Sequence, residues 1–99
     1  MPRPELLAPL ESALERRVVK YARTLGIESI KLNLHGRRDW PDRMFFPRGG
    51  RPVLFELKRV GKEPRPGQLR VIRWLKKLGY EVYVIDTFTE AKVILDGAV

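Results

Sequence analysis

The sequence predicts an α/β domain of the mixed α+β kind, with a mixed four-stranded sheet flanked by helices and a short C-terminal helix. Three observations predict it. Apolar side chains near the N-terminus recur at spacings of three and four, and the spacing then changes to alternation and short apolar runs. Farther on, an apolar run, a second stretch of helical spacing and another apolar run stand in strand–helix–strand order, the sequence form of a parallel pair with a right-handed crossover. Turn residues separate these segments, giving the order α-β-β-β-α-β-α.

The elements follow in turn. Leu10, Leu14, Val18, Tyr21, Ala22 and Leu25 form one stripe. Pro9 suits a first helical turn and Gly26 the residue after the last, so a helix is predicted over residues 9–25. Ile30, Leu32 and Leu34 alternate with Lys31 and Asn33, which predicts a half-buried strand. His35 to Asp39 form a polar loop, and residues 42–46 a second strand. Pro47-Arg48-Gly49-Gly50 is a turn between two apolar runs, so the second and third strands should form a hairpin. The third strand spans 52–58. A basic, Pro- and Gly-rich loop, 61–67, leads into a helix over 68–78, with Leu69, Val71, Ile72, Leu75 and Leu78 on one side and Gly79 at its close. Residues 81–86 read as the fourth strand. Thr87 and Glu90 match a capping box that opens a short helix to about residue 96, ended by Gly97.

Composition narrows the function. Ninety-nine residues, 43% of them hydrophobic, suit one domain with one core, taken as residues 1–99. No apolar run approaches the roughly 20 residues of a membrane span, and the N-terminus lacks a signal layout. The absence of cysteine excludes disulfides and thiolate zinc sites and fits a cytoplasmic protein. Twenty Lys and Arg against twelve Asp and Glu give a net charge of +8. That excess fits a polyanionic partner, above all nucleic acid, and equally a soluble basic surface.

Acids in the apolar strands favour the first reading. Side chains alternate along a strand, so Glu56 and Lys58 share one face, while Val53, Phe55 and Leu57 face a core. Asp42 opens the preceding strand. Two such acids on neighbouring strands can converge on a hard cation such as Mg²⁺, which takes carboxylate and phosphate oxygens. The plain alternative is a surface ion pair between Glu56 and Lys58 on an edge strand.

Pro41-Asp42 followed by Glu56-Leu57-Lys58 resembles the PD-(D/E)XK nucleases, and within them the VRR-NUC (virus-type replication-repair nuclease) domains, above all the small stand-alone phage members. The resemblance runs from Glu15 to Asp86. It takes in Leu25-Gly26, Lys31, Gly36-Arg37-Arg38, the turn at residues 47–50, Gln68, and Gly79 through Asp86. It implies a restriction-endonuclease-like αβββαβ core. It also implies that Asp42, Glu56 and the Leu57 carbonyl hold Mg²⁺ or Mn²⁺, with Glu15 reaching the ion directly or through water. Lys58 would orient or activate the attacking water, and Gln68 would bond into the site. One departure stands out: the family often has a small residue, commonly Gly, two or three positions before the Asp, where this chain has Asp39-Trp40. Asp39 would then add a charge near the metal.

Other readings attach to several of these residues. Glu15 can instead pair with Arg16 or Lys20, Gln68 can be a first-turn helix residue, and Lys31 can decorate a strand face. His35, the one histidine, reads as a solvated loop residue. Trp40 and Trp74 suit packing, with Trp40 the better DNA contact because it adjoins Asp42. Arg70, Arg73, Lys76 and Lys77 read as the solvated side of the second helix. Arg37, Arg38, Lys62 and Arg65 flank the site on loops and suit phosphate contacts, together with Lys31. The resemblance implies a homodimer acting on branched or junction-containing DNA. The rival readings are an archaeal-type Holliday junction resolvase, a non-catalytic nucleic-acid-binding module, and a nuclease fold serving as a subunit of a larger machine.

Overall fold

The computed structural model describes residues 13–32 and 38–99. Helix α1 spans Ala13–Thr24, strand β1 Glu28–Lys31, β2 Arg43–Phe46, β3 Val53–Leu57, helix α2 Pro66–Lys77, β4 Glu81–Ile85 and helix α3 Phe88–Gly97. The sheet order is β1-β2-β3-β4. β1 and β2 are antiparallel, β2 and β3 form the antiparallel hairpin, and β3 and β4 run parallel across the α2 crossover. The fold is therefore the expected mixed four-stranded α/β sheet, with three helices among the described residues. The predicted helix start at residue 9, together with Leu34, His35 and Arg37, lies outside the described residues.

The sheet has two unequal faces. On one, α1 and α3 bury Val18, Val19, Ala22, Phe45, Val53, Phe55, Ile85, Ala91 and Leu95. Phe45 and Phe55 meet across the hairpin at 4.9 Å between ring centroids, and removing either ring would cost about 3–5 kcal/mol. On the other face α2 covers the centre, packing Ile72 and Leu75 on Leu54 and Val82. β3 is thus buried on both sides, which explains its unbroken apolar run.

The caps follow the sequence. Thr87 Oγ1 accepts from the Glu90 backbone N–H at 3.3 Å and starts α3. Pro66 opens α2 in the position where its missing N–H costs nothing. Gly26 and Gly79 end α1 and α2 at φ +78° and +98°, a backbone region that side-chain-bearing residues avoid.

Two expectations need correction. Alternation in β1 is real, but its phase is inverted: Ser29 faces the core and Ile30 is 49% exposed. Ser29 lies opposite Phe45 and Lys31 opposite Arg43, so the odd-numbered residues meet α1. Ile30 projects from an edge strand on the face that α2 covers only at its centre, and alternation alone carries no sign of which side is covered. Strand bounds also shift. Asp42, Pro52, Lys58 and Asp86 fall just outside β2, β3 and β4, and α2 begins at Pro66 rather than at Gln68. Hydrogen bonding nonetheless extends past the strand ends: Asp42 N–H donates to the Phe55 carbonyl at 3.0 Å and Lys58 N–H to that of Ile85 at 2.9 Å.

Candidate active site

Antiparallel pairing brings the start of β2 beside the end of β3. The α2 crossover between the parallel strands brings the N-terminus of α2 to the same end of the sheet. An open groove of about 940 Å³ lies there, lined by Glu15, Arg38, Asp42, Glu56, Leu57, Lys58, Arg59, Lys62, Glu63, Arg65, Gln68 and Asp86 among others.

Asp42 Oδ2 accepts from the Leu57 backbone N–H at 2.7 Å. Glu56 is 1% exposed. Its Oε2 accepts from Gln68 Nε2 at 2.6 Å and lies 3.0 Å from Lys58 Nζ. Its Oε1 is buried with no hydrogen-bond partner among the described residues. Gln68 is held in turn, because its Oε1 accepts from the Arg65 backbone N–H at 2.8 Å. Burial, then repulsion from Asp42, pushes the Glu56 carboxyl above its usual range, against the pull of Lys58 and Gln68.

Glu15 approaches from the other face of the sheet. It is buried between Arg43 Nη1, 3.3 Å from Oε2, and Lys31 Nζ, 3.4 Å from the same oxygen. Burial raises its carboxyl most, Lys31 and Arg43 lower it, and Asp42 raises it again.

The groove therefore gathers Asp42, Glu56, Leu57, Lys58, Gln68, Glu15, Arg38, Lys62 and Arg65. Lys31 reaches the site's edge through Glu15. Trp40 does not line the groove; its ring meets Trp74 of α2 edge-on at 6.0 Å, so it packs the loop against the helix. Asp39 pairs with Arg65 at 3.3 Å. Two residues were missed from sequence. Arg59 lines the groove. Arg43 is wholly buried beside Glu15, and the available signal was its position two residues from Phe45, on the same face of a strand.

Among the described residues, no group of three or more acidic or histidine side chains is arranged to hold a metal ion. Among the acids that line the groove, Asp42 and Glu56 lie close enough for the charge of the one to raise the carboxyl of the other, with Leu57 beside them. The bare, buried Glu56 Oε1 is a lone-pair oxygen with neither a proton nor a cation to meet, and an ion that fills its sphere with water and phosphate oxygens suits that set. No described helix is long and apolar enough to cross a membrane.

A scan against protein-family models gave no match, and a search of curated proteins gave none. Among solved structures, the fold superimposes on one described as a VRR_NUC domain. The TM-score is 0.76 with 26% identity over 87% of this chain and 94% of that one. The likeness supports a VRR-NUC domain. The VRR-NUC resemblance read from Glu15 to Asp86 thus has a three-dimensional counterpart across most of the chain.

Proposed function

We propose that this VRR-NUC-like chain is a divalent-metal-dependent DNA endonuclease that hydrolyses phosphodiester bonds, with Mg²⁺ or Mn²⁺ as cofactor. The similarity to a VRR_NUC domain supports a nuclease of the PD-(D/E)XK type. The single observation that carries the metal reading is the buried Glu56 Oε1 left without a partner, in a carboxylate whose charge Asp42 already opposes. Asp42, Glu56 and the Leu57 carbonyl would hold the ion. When bound, it supplies a lower pKa for water and neutralises charge on the phosphate.

The chain's own residues supply the rest. Gln68 and the Leu57 N–H fix the two carboxylates, so little reorganisation is left for the reaction. Lys58 brings a positive charge beside the buried Glu56 carboxylate, where it can orient the nucleophile and stabilise charge growing on the phosphate. Arg38, Lys62 and Arg65 rim the groove and suit phosphates on either side of the scissile bond. Within this reading Glu15, already held by Arg43 and Lys31, serves the site indirectly.

One domain of this size, with one such site, cuts one strand. A two-fold homodimer supplies two sites and matches the symmetry of a junction, so branched DNA is the proposed substrate and the cytoplasm, of the host cell if phage-encoded, the proposed location. A panel of linear, nicked, flapped and four-way DNA, assayed with Mg²⁺ and with Mn²⁺ beside Glu56→Gln, tests this reading. Metal-dependent cleavage that is strongest on branched substrates and lost in the variant is expected. Metal-independent cleavage, or none on any substrate, contradicts it.

A further inference from the structure

Asp39 stands where the resemblance leads one to expect a small residue, and its carboxylate is turned toward the N-terminus of α2. Asp39 Oδ1 lies 3.3 Å from Arg65 Nη2. A Cβ on Gly67 would come within 2.8 Å of the Asp39 carboxyl carbon, so Asp39 can hold this place only because residue 67 has no side chain. The first turn of a twelve-residue helix favours an anion there. The next residue, Trp40, rests on Trp74 of the same helix.

These contacts close a ring. Asp39 holds Arg65, and the Arg65 N–H donates to Gln68 Oε1. Gln68 Nε2 donates to Glu56 Oε2. The N–H of Leu57, next along the chain, donates to Asp42. Asp42 leads back along the loop to Asp39. The geometry points to Asp39 as a positioning residue, with Gly67 as its seat: together they clamp the loop that carries Asp42 to the helix that carries Gln68, and so set Asp42 against Glu56. An exposed ion pair alone holds little. A ring shared by three elements ties each of its members to the others.

The proposal rests on the metal reading for its consequence but not for its test. In metal-free, ¹⁵N-labelled protein, the Gln68 side-chain amide and the Leu57 backbone N–H should exchange slowly with solvent. In Asp39→Ala both should exchange about tenfold faster, while core amides such as those of Val19 and Leu95 keep their protection. Gly67→Ala, which pushes Asp39 off its seat, should reproduce that pattern. The double variant should be no worse than Asp39→Ala, because the collision is gone. Mn²⁺ binding to Asp39→Ala should weaken by about tenfold, the lower end of what supporting contacts contribute at metal sites. Unchanged exchange at Gln68 and Leu57, or full additivity in the double variant, overturns the clamp. If wild type binds no Mn²⁺, the metal reading falls and the exchange data still decide the clamp.

Discussion

Glu15 and Glu56 are both buried acids near Asp42, yet their surroundings differ in kind. Glu15, on the α1 face, faces two cations, and Arg43 is itself wholly buried. Glu56, on the α2 face, has Lys58 and Gln68 on one oxygen and nothing on the other. Arg43 and Lys31 offset part of the burial cost of the first carboxylate within the protein. The second has an oxygen with no partner among the described residues, and the proposed metal ion would meet it. A buried acid that is already paired holds structure, whereas one that is under-paired is poised to bind.

The largest expected effect is on cleavage. Glu56→Gln keeps the shape and removes the charge, so the single-turnover rate should fall by at least about a hundred- to a thousandfold. Asp42→Asn should do the same, with circular dichroism unchanged. Near wild-type rates in either variant break the comparison at its Glu56 end.

The next effect is on stability and belongs to the other acid. Arg43→Met leaves Glu15 buried with one cation fewer and should cost about 3–5 kcal/mol in urea unfolding. Adding Glu15→Gln should restore much of it. A neutral Arg43→Met would mean that Glu15 is not charge-balanced by Arg43.

A pH experiment sharpens the contrast. The Glu56 pKa is raised, by burial first and by Asp42 second. A raised folded-state pKa gives stability that is present below the unfolded value and is lost as pH rises through the folded one. Without metal, Glu56→Gln should therefore be the more stable protein at neutral pH, and its advantage should shrink as pH falls toward 4.5, the reference value for the carboxyl. Saturating Mg²⁺ should reverse the order, adding about 2.7 kcal/mol to wild type at a hundredfold excess over Kd. Thermal melts across pH, with and without metal, check both signs.

The smallest effect separates chemistry from affinity. Lys58→Ala should lower the rate with little change in DNA binding. Arg37→Ala with Arg38→Ala should weaken binding and reduce its salt slope by roughly one unit for each phosphate that is no longer neutralised. Equal binding losses in both, with cleavage intact, would contradict the division.

Strand and helix positions were legible because each carries a strong period and a terminating residue, as at Gly26, Gly79 and Thr87. Asp42, Glu56 and Lys58 were legible together because strand alternation and the hairpin fix which faces and ends meet, whereas Gln68 came from the family resemblance. The phase of β1 was not, since Ile30 and Ser29 differ only in which face a helix covers. Nor were the roles of Arg43 and Asp39. A buried arginine and a loop aspartate look like surface charge until their partners, Glu15 and the N-terminus of α2, are brought beside them by the fold.

Mn²⁺ titration of wild type, Glu56→Gln and Glu15→Gln, followed by calorimetry, tests the contrast between the two acids most directly. Wild type should bind, Glu56→Gln should lose binding, and Glu15→Gln should retain most of it while losing stability. Undiminished binding in Glu56→Gln, or complete loss in a folded Glu15→Gln, would contradict the assignment of the cation to Glu56.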